Sequence, residues 1–258
     1  MEDLLVTVPS RRTARGRGVT LARALSKSGI ASRAEASRLI REGAVTVNGA
    51  TVRAPGAWVD PRAARIALRG TPVGPAPRIY IAMYKPPGIV TTRSDERGRR
   101  TVYALLPRSL PLVFPVGRLD METSGLLLLT NDTRFGELVA GASHGVPKTY
   151  RVTLERPLDA RAAAAIRRGV ALPGGERCRP ARLDADSRDP RSCRLVITEG
   201  KNRQVRRMFA SQGHAVVALR RIAVGCVRLG SMNEGEVRLL TDEEVTGLMD
   251  EGARRGRA

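Results

Sequence analysis

Gly117-Arg118-Leu119-Asp120-Met121-Glu122-Thr123-Ser124-Gly125 leads straight into Leu126-Leu127-Leu128-Leu129, followed by Thr130-Asn131-Asp132. Four consecutive leucines belong in an interior, and a short apolar run between turn-forming residues predicts a buried strand. The segment before it is polar, bounded by glycines, and carries a carboxylate, Asp120, close to an arginine. A side chain so placed sits at the edge of a core, where a rigid scaffold presents its functional loops.

Outward from this stretch, the surrounding sequence predicts a domain of intermixed strands and helices. Ile79 to Tyr84 reads as a strand that must turn at Lys85-Pro86-Pro87-Gly88, with Ile89-Val90-Thr91-Thr92 resuming the extended run. Lys148 to Leu154 alternates as a strand. Leu158 to Arg168 is an alanine-rich helix ended by Gly169. Cys193 to Thr198, Val216 to Leu219 and Val237 to Leu240 are further strands. Asn202 to Gln212 reads as a helix opened by asparagine, and Thr241-Asp242-Glu243-Glu244 caps a final helix. No regular βαβ rhythm runs through them, which predicts an α+β fold with a mixed, mostly antiparallel sheet.

A smaller unit precedes this one. Leu21, Ala22 and Leu25 share one face of a short helix ended by Gly29, and Ser32-Arg33-Ala34-Glu35 has the wording of a capping box. The second helix turns Ala36, Leu39 and Ile40 inward and leaves Arg33, Arg38 and Arg41 outward. Val45-Thr46-Val47 and Ala50-Thr51-Val52 flank Asn48-Gly49, a strong short-range hairpin signal. Arg69 to Pro77, with Gly70, Pro72, Gly74, Pro75 and Pro77, has linker composition. The organisation expected is a basic disordered tail over 1–18, a helix-helix-hairpin domain over 19–68, a linker over 69–77, a larger domain over 78–250 and a basic tail over 251–258.

Composition narrows the partners. The chain of 258 residues has 42% hydrophobic but only 3% aromatic residues, so its cores must be built from Leu, Val, Ile and Ala. A formal net charge of +20 points to a polyanion. Among 45 basic residues the only lysines are Lys27, Lys85, Lys148 and Lys201, and an ammonium does not replace a guanidinium at a constrained site. Cys178, Cys193 and Cys226 lack CxxC spacing and read as reduced thiols. His144 and His214 lack metal-ligand spacing, so no metal and no cofactor are expected. No apolar run approaches a membrane span and no signal pattern opens the chain, which predicts a cytoplasmic protein.

The wording GRLDxxTSGLLLLTND closely resembles the catalytic motif of the RNA pseudouridine synthases, in their RsuA/RluB branch. "YKPPGIVTT", "VPKTYRV", "EGKNRQVRRMF" and "VVALRRIAVG" match further motifs of that family in the same order. "GIASRAEASRLIREGAVTVNG" resembles the RNA-binding module named after small-subunit ribosomal protein S-four. The resemblance implies isomerisation of a ribosomal RNA uridine to pseudouridine by a monomer acting on free rRNA or an assembling subunit. Asp120 would act on ribose or base, by covalent attack or by deprotonation, and the sequence leaves both open. Either role needs the charged carboxylate, which a neighbouring cation favours; by resemblance that cation is Arg206. Tyr150 would stack on a flipped-out uracil. RNA contacts are expected from Lys27, Arg33, Arg38 and Arg41 in the first domain and from Arg118, Lys201, Arg203 and Arg207 in the second, mainly to phosphates. Lys85 is read as packing the turn beneath the site. The rivals are an RNA glycosidase, which would want a second opposed carboxylate where only Glu122 is near, and a non-catalytic RNA-binding ribosome-assembly protein.

Overall fold

Leu21, Leu25, Ile40 and Val45, all completely buried, centre a small aliphatic core in the N-terminal part of the chain. The computed structural model describes residues 18–74, 76–107, 109–172 and 174–256. Two compact units divide the chain: the first runs to Arg78 and takes in Ser109–Val113, and the second holds the remainder.

In the first unit β1 (Val19–Thr20) feeds α1 (Leu21–Lys27), where the Thr20 hydroxyl accepts the Arg23 N–H at 3.4 Å. α2 (Arg33–Arg41) is opened by Ser32, whose Oγ accepts the Glu35 N–H at 3.1 Å. Only half of the expected capping box forms. The Glu35 carboxylate turns along the helix to Arg38 (2.6 Å) and does not reach back to the Ser32 backbone. β2 (Val45–Val47) and β3 (Ala50–Thr51) flank Asn48 and Gly49 at φ of +53° and +88°, the backbone of the tight primed hairpin turn. β4 (Trp58–Val59) pairs with β1, and β5 (Ile66–Leu68) pairs with β2. The stretch expected as a linker holds another strand, β6 (Thr71–Pro72), antiparallel to β5. Arg69 and Gly70, at φ of +48° and +80°, make a hairpin turn there, so the glycine marks a reversal inside the sheet.

The second unit opens with β7 (Tyr80–Lys85). Past it, the extended run expected from Ile89 shrinks to a single bridge between Val90 and Thr101, before a 3₁₀ turn at Val102–Leu105. Then come β8 (Phe114–Val116), β9 (Thr123–Thr130), α3 (Thr133–Ala140), β10 (Lys148–Leu154) and α4 (Ala160–Arg168). β11 (Arg182–Ala185), β12 (Ser192–Ile197), α5 (Gln204–Ala210), β13 (Val216–Val224), β14 (Val227–Arg228), β15 (Val237–Leu239) and α6 (Asp242–Arg255) complete it. The sheet runs β11-β12-β10-β13-β9-β7-β15, with β14 on β13 and β8 on β9; only the β13–β9 pairing is parallel. Leu126 to Leu129 are at most 1% exposed at its centre, each contributing about 1.5–3 kcal/mol over an exposed leucine.

Two helix ends differ from expectation. Asn202 does not cap α5; the residue before that helix is Arg203, in the left-handed region at φ +46° with no side-chain cap. α6 carries the full capping box of Thr241 and Glu244 and runs on through Arg255, into the expected basic tail. Packing fixes that end, since Leu248 is fully buried and Gly252 lies against the Leu138 backbone. The basic arm expected at the N-terminus falls, but for Gly18, outside the described residues, as does Arg257. Among the described residues no helix is long and apolar enough to cross a membrane.

Gly125 is where the motif and the sheet constrain each other. Its φ is +105°, and a Cβ there would fall on the backbone carbonyl of Arg221, its partner in the parallel pairing. Gly125→Ala therefore adds left-handed strain and a backbone clash, with an expected loss of about 3 kcal/mol or more. Thermal unfolding checks this; a melting temperature equal to that of the parent would show that the β9–β13 contact can yield.

Candidate active site

β9 begins three residues after Asp120, so the start of the central strand fixes where the carboxylate can lie. The backbone around it is held from several sides. Thr91 Oγ1 donates to the Leu119 carbonyl at 2.8 Å and accepts the Leu119 N–H at 3.3 Å. The Gly88 N–H reaches the Met121 carbonyl at 2.8 Å, and the Thr123 N–H returns to the Asp120 carbonyl at 3.0 Å. Lys85, last residue of β7 and completely buried, gives its ammonium to the carbonyls of Pro86 (2.9 Å), Met121 (3.2 Å) and Thr123 (2.8 Å). Burial lowers the pKa of Lys85 to about 8, opposed by the nearby Asp120 charge and assisted by Arg221. The lysine read as packing the turn thus ties the turn after β7 to the backbone that follows Asp120.

The carboxylate itself is left open. Asp120 is part-exposed, and its carboxylate makes no hydrogen bond or ion pair among the described residues. It lies where two cavities meet. The inner one, about 260 Å3, is lined by Asp120, Tyr150, Lys148, Leu219 and Arg221 among others, and falls just below the ~300–1,000 Å3 typical of whole-ligand pockets. The outer one, about 530 Å3, shares Arg118, Asp120, Asn202 and Arg203 with it and extends along Thr91, Thr92 and Arg97. Asp95 stiffens that outer wall. It accepts the backbone N–H groups of Arg97 (3.2 Å) and Arg99 (2.9 Å) and pairs with the Arg99 guanidinium at 2.6 Å. These bonds hold its pKa down at about 2.

A fixed loop, a free carboxylate and a small cavity floored by a tyrosine suit work on one base of a longer polymer, with the chain continuing along the outer groove. Residues 79–211 match the family model described as RNA pseudouridylate synthase, and residues 19–62 match the S4 domain.

The chain belongs to the RNA pseudouridylate synthase family.

An RNA pseudouridine synthase of Mycobacterium tuberculosis, described as uncharacterized, is 38% identical over 90% of this chain and 93% of its own length. The ribosomal large subunit pseudouridine synthase B of Bacillus subtilis is 35% identical, covering 88% of this chain and 94% of that protein. A crystal structure of a pseudouridylate synthase superposes with a TM-score of 0.66 at 32% identity, covering 89% of this chain and 99% of that one. The protein is therefore an RNA pseudouridine synthase.

The side chains singled out in the sequence divide by their partners. Tyr150 is 9% exposed on β10 and lines the inner cavity with Asp120. Arg206 stands apart from the carboxylate. Its Nη1 donates to the Val216 carbonyl at 2.8 Å and its Nη2 to the Glu122 carbonyl at 3.4 Å, so the guanidinium is anchored on backbone and makes no ion pair with Asp120. Glu122, the only carboxylate nearby in sequence, is exposed and paired with Arg203 at 3.1 Å, so it is not the free second carboxylate that a hydrolase would require. Lys201 is turned onto the Arg177 carbonyl (2.7 Å) and Glu176 (3.1 Å), and Arg207 onto Glu176 (3.5 Å). Arg118 is exposed, lines both cavities and has no partner among the described residues.

In the first unit Lys27, Arg33, Arg38 and Arg41 are all exposed. Arg38 is engaged on both sides by Glu35 and Glu42, which balances its charge and hinders a phosphate contact. Lys27, Arg33 and Arg41 make no ion pair among the described residues. Sequence reasoning gave no role to Thr91, Arg221 or Lys148. For Lys148 a signal existed, because it stands two residues before Tyr150 on one strand, and that spacing returns to the same face.

Proposed function

We propose that this enzyme converts a uridine of ribosomal RNA to pseudouridine, with Asp120 as the essential carboxylate acting on a nucleotide turned out of its RNA. The observation that carries the reading is the unpaired Asp120 carboxylate on an immobilised loop at the junction of the two cavities. The inner cavity takes the uracil against Tyr150, and the outer groove takes the adjoining strand, with Arg118 on its phosphates. Turning a base out costs a few kcal/mol and least in an open loop, so the substrate is a locally unpaired segment of structured RNA. Arg206 serves as a positioning residue through the Glu122 carbonyl. The ribosomal target rests on relatives named for it: the B. subtilis protein above and a ribosomal small subunit pseudouridine synthase A of Vibrio cholerae, 35% identical over 84% of this chain.

Mapping pseudouridines in total rRNA by carbodiimide labelling and reverse-transcription stops, in cells with and without the protein, tests this directly. One site is expected to vanish, to return with the wild-type chain and to stay missing with Asp120→Asn. An unchanged rRNA map would overturn the ribosomal target.

In the first unit the three unpaired cations contribute to RNA affinity by releasing counterions. Arg33→Gln with Arg41→Gln should weaken binding and lower the slope of log affinity against log salt by about two. Arg38→Gln should leave the slope nearly unchanged. Filter binding over a salt series reads both; equal slopes for the double variant and the parent would remove these arginines from the interface.

A further inference from the structure

Lys148 is the lysine at this site whose charge has no assigned work. Lys85 is committed to three carbonyls, and Lys201 to Arg177 and Glu176. Lys148, by contrast, lines the inner cavity beside Tyr150 and Asp120, and its ammonium makes no hydrogen bond or ion pair among the described residues. Arg221 stands behind it, on the neighbouring strand. It is 4% exposed, donates Nε to the Leu126 carbonyl at 2.7 Å, and leaves Nη2 buried without a partner. Burial, and then the like charge of Arg221, lower the pKa of Lys148 to about 8, against the opposite pull of Glu251 on α6. At pH 7 this is a half-buried ammonium short of an acceptor, in a cavity where Glu199 is engaged by the Arg179 N–H and the Gln204 amide and Asp120 is reserved for the sugar or the base.

The reaction supplies what such a group lacks. When the C1′–N1 bond breaks, its electron pair leaves with N1 and spreads onto O2 and O4, so the detached uracil is an anion. The deficit at C1′ is met by Asp120, either by a bond from its oxygen or by removal of the C2′ proton. After the base turns, a C5–C1′ bond forms as the Asp120–C1′ bond breaks, or as the C2′ proton is returned, and the C5 proton is replaced by one on N1, so nothing is gained or lost. A fixed cation placed where charge develops stabilises that anion without reorganising at the moment of reaction.

Resting on the reading that this enzyme isomerises uridine, we propose that the Lys148 ammonium, backed by Arg221, binds the carbonyl edge of the uracil and stabilises the negative charge it carries once its bond to ribose breaks. The same pair, able only to donate, discriminates against cytosine, which presents an amino group at the position of O4.

Leaving-group chemistry tests the assignment. Fluorine at C5 draws electron density from the base and makes it a better anion, less dependent on an external cation. Single-turnover rates are measured for the wild type, Lys148→Met and Lys148→Arg on a synthetic RNA carrying uridine or 5-fluorouridine at the mapped site. Cleavage of the original glycosidic bond is read as loss of the parent nucleoside by mass spectrometry, since 5-fluorouridine has no C5 proton to shed and cannot be carried on to a pseudouridine; melting curves confirm that each variant is folded. Lys148→Met is expected to slow uridine by about 100-fold or more, to slow 5-fluorouridine about tenfold less than that, and to be largely rescued by Lys148→Arg. Equal slowing of both substrates would assign Lys148 to packing or to a phosphate contact and overturn the proposal; so would an unimpaired Lys148→Met. Should Lys148→Met fail to fold, Lys148→Arg and Lys148→Gln carry the same comparison. A wild type that leaves uridine unconverted in this RNA would instead count against the underlying choice of substrate.

Discussion

Asp120→Asn is expected to abolish turnover while leaving the fold and the RNA affinity intact. The substitution keeps the shape of the side chain and removes only its charge. No ion pair or hydrogen bond among the described residues is lost with it, because the carboxylate has none. The loop does not depend on it either, since Thr91, Gly88, Lys85 and Arg206 all grip backbone atoms. An amide can neither attack C1′ nor take a proton from C2′, so the expected loss is at least about 5 kcal/mol of barrier, or about four orders of magnitude in rate. Single-turnover pseudouridine formation and filter binding, on the same RNA, read the two quantities separately. A variant within tenfold of wild type would remove Asp120 from the chemistry; lost binding with an unchanged melting curve would make it an RNA contact.

Lys85→Met should cost far more in rate than in stability. The pKa of about 8, against an ordinary lysine value of 10.5, means that burying this charge works against folding by about 3 kcal/mol at neutral pH. Methionine relieves that cost but leaves buried carbonyls short of a donor, at about 1–3 kcal/mol for each left unsatisfied. The Met121 carbonyl keeps the Gly88 N–H, so the two effects nearly offset and the net stability change is small. What is lost is the tie that holds the backbone just after Asp120 to the turn after β7, and a misplacement of about 1 Å at the reacting group is worth about 100-fold in rate. Chemical denaturation and single-turnover rates measured together decide the matter. A large loss of stability with a proportionate loss of rate would make Lys85 a plain structural residue.

The same burial sets a pH dependence. The folded-state value lies below the unfolded one, so between about pH 8 and 10.5 the unfolded chain holds a proton that the folded chain has released. The stability contributed by this group is therefore complete above the unfolded value and is lost as the pH falls through about 8. Activity runs the other way, because the clamp needs the ammonium. Rates that fall above pH 8 while the denaturation midpoint holds or rises would carry the signature of Lys85.

Much of this protein was legible in one dimension. Asp120 before four leucines, the Asn48-Gly49 turn, the Thr241 and Glu244 cap and the ordered series of motifs are local signals, each set by backbone sterics or by a run of apolar residues. Their physical meaning does not wait on distant parts of the chain. For the same reason the family could be read from the sequence, and the mixed, mostly antiparallel sheet followed from the rhythm of its elements. The errors were local readings overruled at a distance. The glycines near residue 70 read as a linker until β5 supplied a partner for β6, and the last turns of α6 read as a solvated tail until Leu138 gave them a surface. Away from single helices, where spacing alone pairs Arg38 with Glu35 and Glu42, which cations are free was decided by tertiary structure. Lys201 and Arg206 look as available in the sequence as Arg118 and Lys148, yet the first two are engaged by a carboxylate or by backbone carbonyls. The physical reason is that a charge acts through its distance to other charges and to water. Sequence spacing sets that distance along one helix or strand, whereas between β7, β10, β13 and the loop of Asp120 only the folding of the sheet does.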